Sequence, residues 1–108
     1  MARSGIVYYG NNPAGRIEET ATGFRFTYDK DYLIASDLPA ISLTLPKQPE
    51  AFESPVIFPF FYGLLAEGIL KQTQCRKLKI DENDHFGRLL KTAHADTIGA
   101  VTVIEEMR

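Results

Sequence analysis

Phe24-Arg25-Phe26-Thr27-Tyr28-Asp29 alternates aromatic and polar side chains along one short stretch. Successive side chains of a β-strand point to opposite faces of the sheet, so this period of two places the three aromatic rings together. The stretch therefore predicts a half-buried strand whose aromatic face forms part of a core.

Upstream of it, the sequence predicts a hairpin. Ile6-Val7-Tyr8-Tyr9 is β-branched and aromatic, which is typical of a strand. Residues 10–15 carry the glycine, asparagine and proline residues of a turn. Residues 16–19 would then return antiparallel to the first strand.

Downstream, the pattern predicts a single helical turn and another strand. Tyr32-Leu33-Ile34-Ala35 is a short apolar run that fits one turn of helix. Ile41-Ser42-Leu43-Thr44-Leu45 alternates again, which places Ile41, Leu43 and Leu45 on one face of a strand that Pro46 would end. Residues 47–54 are polar and contain proline, so we expect a loop there.

The second half of the chain changes to helical spacing. Phe60, Phe61, Leu64 and Leu65 recur at helical intervals, although Gly63 weakens that interpretation. Residues 69–79 predict a helix with Gly68 as its cap, and residues 99–104 predict a closing strand. Asp81 is suited to cap a further helix. The apolar stripe of that helix comprises Phe86, Leu89, Leu90 and Ala93.

These elements predict one α+β domain spanning residues 1–108, with a small antiparallel sheet or barrel and two or three short helices in the second half. A chain of 108 residues with 44% hydrophobic residues can form its own core. The net charge of −2 argues against a protein that binds nucleic acid alone, because phosphate binding favours a positive excess.

The residue types needed for catalysis or metal binding are not arranged in known patterns. Cys75 is the single cysteine, so no internal disulfide forms, and its spacing to His85 and His94 matches no standard zinc site. No phosphate-binding glycine loop or kinase motif occurs. The sequence therefore predicts no catalytic residue, no metal and no cofactor. Without an apolar leader or a membrane-length apolar segment, we expect a cytoplasmic protein that does not bind membranes.

The segment from Phe58 to Leu65 concentrates large apolar side chains around Pro59 and Gly63. A domain of this size need not bury all of them, and an exposed remainder would form a partner-binding surface. A wholly buried segment is the other interpretation, and composition leaves both open.

Four segments in register carry a family resemblance, and the last of them has two parts. Residues 60–68, FFYGLLAEG, resemble the "FF-x-G-LLPEG" motif in the N-terminal subdomain of HipA-type kinases. Residues 24–33 resemble that family's "F-x-F-x-Y-x-x-x-W-L" motif, and residues 41–46 resemble its "LS-x-S-LP" motif. Residues 84–90 and 96–101 resemble its "D-x-F-x-LL" and "GAV" motifs. This sequence has Ala66 where the family has proline and Tyr32 where it has tryptophan.

The resemblance implies the family's small β-rich fold and a binding function. In HipBST-type toxin–antitoxin systems this subdomain is a separate antitoxin, HipS, which neutralises HipT, a HipA-like Ser/Thr kinase. The resemblance also leaves open a ternary complex with a HipB-like repressor. The alternative is a detached or truncated subdomain that completes a HipA kinase without inhibiting it.

A kinase-binding surface is expected around the "EG" pair of the motif. A large side chain directly after that pair is the natural candidate to reach toward the kinase active site, and Ile69 occupies this position. The predicted kinase-binding residues are Leu64, Leu65, Glu67, Gly68, Ile69 and Leu70.

Overall fold

The computed structural model describes residues 3–65, 68–94 and 100–106, apart from the side chain of Ile69. These residues combine an antiparallel sheet with short helices, as predicted for an α+β domain. The elements are β1 (Ser4–Tyr9), β2 (Asn12–Thr20), β3 (Gly23–Tyr28), α1 (Lys30–Ile34), β4 (Phe52–Ser54), α2 (Pro59–Tyr62), α3 (Gly68–Leu78), α4 (His85–Thr92) and β5 (Val101–Glu105).

The sheet is open, with the strand order β4-β3-β2-β1-β5. The barrel that the sequence left possible does not form, because β4 and β5 lie at opposite edges. The predicted hairpin is confirmed as β1 and β2, although its turn is shorter than expected and β2 begins at Asn12. The closing strand is confirmed as β5, which pairs antiparallel with β1 so that Gly5 lies opposite Glu105. Gly99 lies outside the described residues.

The aromatic face of β3 forms the centre of the core, as its alternation predicts. Phe26 is fully buried and Tyr28 nearly so, while Phe24 is partly buried against the same cluster. The ring centroids of Phe26 and Phe61 lie 5.7 Å apart, which connects the sheet to α2. Such tilted ring pairs add to the stabilisation that burial provides.

Gly15 lets β2 pass directly beneath this aromatic cluster. A Cβ atom at this position would clash with the carbonyl oxygen of Thr27 and lie 2.9 Å from the Phe26 ring. Any larger side chain would push β2 away from β3, so only glycine is sterically compatible with this position.

Helix α4 covers the β1–β5 side of the sheet. Its predicted apolar stripe is buried, comprising Phe86, Leu89, Leu90 and Ala93. The cap differs from the prediction. Asp84, rather than Asp81, caps the helix by accepting a hydrogen bond from the Gly87 backbone N–H at 3.1 Å. The Asp81 carboxylate instead accepts from the Asn83 N–H at 2.8 Å, which forms the turn before the helix.

The connection between β3 and β4 departs most from the prediction. Residues 41–45 form a tight turn with a single bridge between Ser42 and Leu45, so the predicted strand is wrong. The cause is distant in sequence: the Tyr28 hydroxyl accepts from the Ile41 N–H and donates to the Leu45 carbonyl. Strand β4 lies within the predicted loop 47–54, where it pairs with β3.

Candidate partner-binding surface

The predicted surface begins at α2, which packs against the core through the side chain of Phe61. Proline stands at the first turn of this helix, where its missing N–H is not needed. Phe61 is fully buried, whereas Tyr62 is 43% exposed. The chain then continues as a tight turn, because the Leu64 N–H donates to the Phe61 carbonyl at 3.1 Å.

The predicted site residues divide between the core and the surface. Leu65 is only 8% exposed and belongs to the core, so its side chain supports the surface and is not available to a partner in the isolated domain. Leu64 is partly buried against the core, and Leu70 is 58% exposed. Glu67 and the side chain of Ile69 lie outside the described residues, and their contact with a partner stays a prediction.

Gly68 starts α3 in a left-handed backbone conformation, with φ of +61°. Nothing lies within 4 Å of where its Cβ atom would be, so the backbone angle alone favours glycine. This conformation costs other residues about 1–2 kcal/mol. The first residue of α3 therefore has a backbone conformation that glycine adopts most easily.

Helix α3 is confirmed where the sequence predicted it, but it contributes little to the core. Cys75 is its one buried residue among the described side chains, and the helix packs against α4. Its described surface carries two exposed leucines, Leu70 and Leu78, and three cations, Lys71, Arg76 and Lys77, with no anion. The helix therefore presents one exposed leucine near each end and positive charge between them.

Tyr62 is a surface residue that the sequence analysis did not select. Its ring contacts the ring of His85 edge-on, with centroids 5.0 Å apart. The Nδ1 atom of His85 is buried without a hydrogen-bond partner among the described residues. Tyr62 thus lies beside the start of α4 as well as next to the predicted site. The sequence shows that Tyr62 belongs to the apolar segment from Phe58 to Leu65, but not that its side chain is exposed, because the exposure depends on the orientation of α2.

An ion-pair cluster fixes the start of α4 to the sheet. The Arg3 guanidinium donates to the carboxylates of Asp84 at 2.8 Å and Glu19 at 3.0 Å. Hydrogen bonds from Arg3 lower the pKa of both carboxyl groups and raise the pKa of Arg3 itself. Because all three side chains are about one-third exposed, solvent screens much of this attraction.

The described surface offers little to a metal or a cofactor. No group of three or more His, Cys, Asp or Glu side chains among the described residues could hold a metal ion. A groove of about 570 Å³ beside α3 is lined mainly by polar and charged side chains, including Lys71, Arg76 and Glu82. In the parts of the chain that the structure describes, no helix is both long and apolar enough to cross a membrane.

Comparisons with known proteins agree with this open sheet and its helices. The profile of the HipA N-terminal domain family matches residues 5–104. A solved structure described as the N-terminal domain of HipA toxin superposes with a TM-score of 0.74 and 33% identity, over 98% of this chain and 94% of that one. An uncharacterized protein of Haemophilus influenzae is 36% identical over 106 residues, which cover 98% of this chain and 95% of the relative. The chain belongs to the HipA N-terminal domain family.

Proposed function

We propose that this protein is an antitoxin that binds and neutralises a separate HipA-like Ser/Thr kinase of the HipT type, in the cytoplasm. The observation that carries the proposal is α3, which is an almost uncovered helix in a domain whose family is named after a kinase toxin. A helix of 11 residues with little packing is marginal on its own in water. A partner that covers α3 would supply the missing contacts.

The start of α3 is the proposed contact with the kinase. Gly68 is the first residue of the helix, and Ile69 and Leu70 follow it directly. An aliphatic anchor at the centre of an interface contributes about 2 kcal/mol or more when it is truncated. Leu64 and Tyr62 would lie at the margin of this contact, and Leu65 would support it from the core.

The main test replaces the apolar anchors with aspartate. Ile69→Asp and Leu70→Asp place a negative charge in the first turn of α3, where the helix dipole favours it, so folding should not suffer from the charge itself. We expect both variants to lose kinase binding and rescue of growth on co-expression. Thr22→Asp carries the same charge at an exposed polar position in the turn between β2 and β3, outside α3, and should behave like the wild type.

Thermal melts and circular dichroism of each variant are needed for the interpretation. A folded Ile69→Asp variant that still neutralises the kinase would reject the contact at Ile69. An unfolded variant would place Ile69 in the core, because an unpaired buried charge is strongly destabilising. No complex between the wild-type chain and its cognate kinase at micromolar concentration would refute the antitoxin function.

The alternative function is a structural complement of a HipA kinase. The similarity to a domain described as part of HipA toxin favours it. The two functions differ in the sign of their effect. Kinase autophosphorylation should fall with increasing amounts of an antitoxin and should rise with a complement. Addition of a HipB-like repressor to the same mixture, followed by size-exclusion chromatography, tests for a ternary complex.

Neither function requires catalysis by this chain. None of its motifs supplies a phosphate-binding loop or the metal-binding carboxylates of phosphoryl transfer. We therefore expect the purified protein to show no ATP hydrolysis and no phosphotransfer above background. ATP hydrolysis or phosphotransfer activity that copurifies with the folded protein through two independent columns would contradict this expectation.

A further inference from the structure

Helix α3 is bounded at both ends by residues in the left-handed backbone region. Its first residue, Gly68, has φ of +61°, and Lys79, directly after its last residue, has φ of +56°. Glycine adopts this conformation freely, whereas a residue with a Cβ atom is strained in it. Among the described residues, Lys79 is the one residue other than glycine with a positive φ. The strain therefore lies at the end of α3.

The end of α3 has the geometry of a Schellman motif. The Ile80 N–H donates to the Cys75 carbonyl at 2.9 Å, and this hydrogen bond encloses Lys79 in the left-handed position. Glycine is the usual residue at that position, and a hydrophobic contact between the residues that this hydrogen bond joins often accompanies the motif. The Ile80 and Cys75 side chains line the same groove beside the helix. Lysine thus ends α3 at a cost that glycine would avoid.

Little packing offsets this cost. Cys75 is 5% exposed, but Leu70 is 58% and Leu78 is 49% exposed, and the hydrophobic core includes no described side chain of α3. The first turn also carries no acidic side chain to complement the helix dipole. A helix of 11 residues is marginal by itself in water. Opening α3 should therefore require much less free energy than unfolding the domain.

The remainder of the domain does not depend on α3 for its own contacts. The five strands form one hydrogen-bonded sheet, and α4 packs its apolar stripe against β5. The main packing partner of α3 is α4, which it contacts from outside the core. Loss of α3 would leave the sheet and the buried face of α4 in place.

We propose that α3 opens by local unfolding between Gly68 and Lys79 while the sheet and α4 stay folded, and that this opening controls the partner-binding surface. Leu70 is presented from a helix in the closed state alone. A kinase that binds this state lowers the open population by mass action. The control of the surface rests on the proposed function, whereas the opening itself does not.

The single cysteine of the chain measures the opening. Because Cys75 is buried within α3, a neutral thiol reagent such as iodoacetamide should react with it mainly when the helix opens. We expect labelling at least about a hundredfold faster than the global unfolding measured in urea allows, and much less dependent on urea, because a local opening exposes little surface. Labelling at the rate and with the urea dependence of global unfolding would overturn the proposal.

Substitutions at the two ends of α3 should change the labelling rate in opposite directions. Lys79→Gly removes the strain and should slow labelling about fivefold, whereas Gly68→Ala adds strain and should accelerate labelling about fivefold. Lys79→Gln is the matched control, since it removes the charge but keeps the strain, and its rate should equal that of the wild type. Equal rates in all four proteins would show that the reagent reaches the thiol through the groove, and would overturn the proposal.

Amide hydrogen exchange gives a second measurement that does not use the thiol. The amides of residues 73–78 should exchange faster than those of α4 and β1, with one common and small dependence on urea. Exchange in α3 as slow as exchange in β1 would overturn the proposal, because the helix would then open only with the sheet.

The cognate kinase separates the opening from the proposed function. Kinase added at 100 times its Kd should slow the labelling of Cys75 about a hundredfold. If the kinase binds and the labelling rate stays the same, control of the surface is refuted and the opening stands. If the kinase does not bind, the proposed function and this control are refuted together, while the labelling of the free protein still decides whether α3 opens.

Discussion

Helices α3 and α4 follow one another in the chain but differ in what holds them. Helix α4 buries an apolar stripe against the sheet and is capped by Asp84. Among the described side chains of α3, only Cys75 is buried. Since most helical stability in proteins comes from packing, α4 is held by the folded core, whereas α3 gains little stability from it. The comparison separates the residues that make the fold from those that are free to bind.

The largest expected effect tests the α4 side of this comparison. Leu89 is fully buried, so Leu89→Ala should lower the free energy of unfolding by about 3 kcal/mol through lost burial and the cavity that remains. Leu70→Ala in α3 is the matched control and should cost less than about 0.5 kcal/mol. Urea denaturation followed by circular dichroism measures both. Similar losses for the two variants would contradict the division between the helices.

A second, smaller effect is expected at the cap of α4. Asp84→Ala removes the acceptor for the Gly87 N–H and one partner of Arg3, which should lower the free energy of unfolding by about 1–2 kcal/mol. Asp81→Ala serves as the control, because Asp81 is exposed and bonds only within the preceding turn. The Asp81→Ala variant should keep most of the free energy of unfolding of the wild type. If the denaturant midpoint of Asp81→Ala is lower than that of Asp84→Ala, Asp81 is the cap of α4, as the sequence predicted.

Gly68 tests the other helix. Gly68→Ala forces alanine into a left-handed conformation, which should cost about 1 kcal/mol locally, although no atom obstructs the new methyl group. We expect faster amide exchange in the first turns of α3 and little change in the global melting temperature, because α3 contributes little to the core. A large drop in melting temperature would show that α3 unfolds together with the sheet.

The smallest expected effect is the dependence of stability on pH. The pKa values of Asp84 and Glu19 are lower in the folded state, first because Arg3 donates hydrogen bonds to them. Their contribution is therefore complete above the ordinary carboxyl pKa of about 4 and is lost as pH falls through the lower folded values. Between pH 6 and pH 3, the wild type should lose more stability than Arg3→Ala. Parallel pH profiles of the two proteins would show that solvent screening removes the effect.

The parts of the fold that follow from local sequence were predictable. The alternation around Phe26 and the stripe that contains Leu89 each specify a face of their own element, and both are buried as expected. The prediction failed where a distant residue decides the backbone. Residues 41–45 alternate like a strand, but the Tyr28 hydroxyl forms hydrogen bonds with the Ile41 N–H and the Leu45 carbonyl, and the segment folds into a turn. The alternation of apolar residues is the same for a strand and for this turn, so it could not distinguish them.

The candidate surface was predictable in part, for a similar reason. The motif places Gly68 and Leu70 at the start of a helix, and both are exposed there. The burial of Leu65 and the exposure of Tyr62 depend on how tightly the chain turns after α2 and on the position of His85. Leu43 was predicted on the same face of a strand as Ile41 and Leu45, but the turn leaves it fully exposed while those two are buried. The direction of a side chain at a turn is set by tertiary contacts, and the spacing of apolar residues in the sequence does not predict these contacts.

The pairing of β1 with β5 has a consequence for how the domain is made in the cell. Gly5 lies opposite Glu105, so this pairing joins the first strand of the domain to its last, and a ribosome must release β5 before the sheet is complete. Until then the edge of β1 remains uncovered and open to wrong pairing. Contacts between distant segments also slow folding itself. The sheet is therefore completed only after β5, the last strand of the domain, has been synthesised.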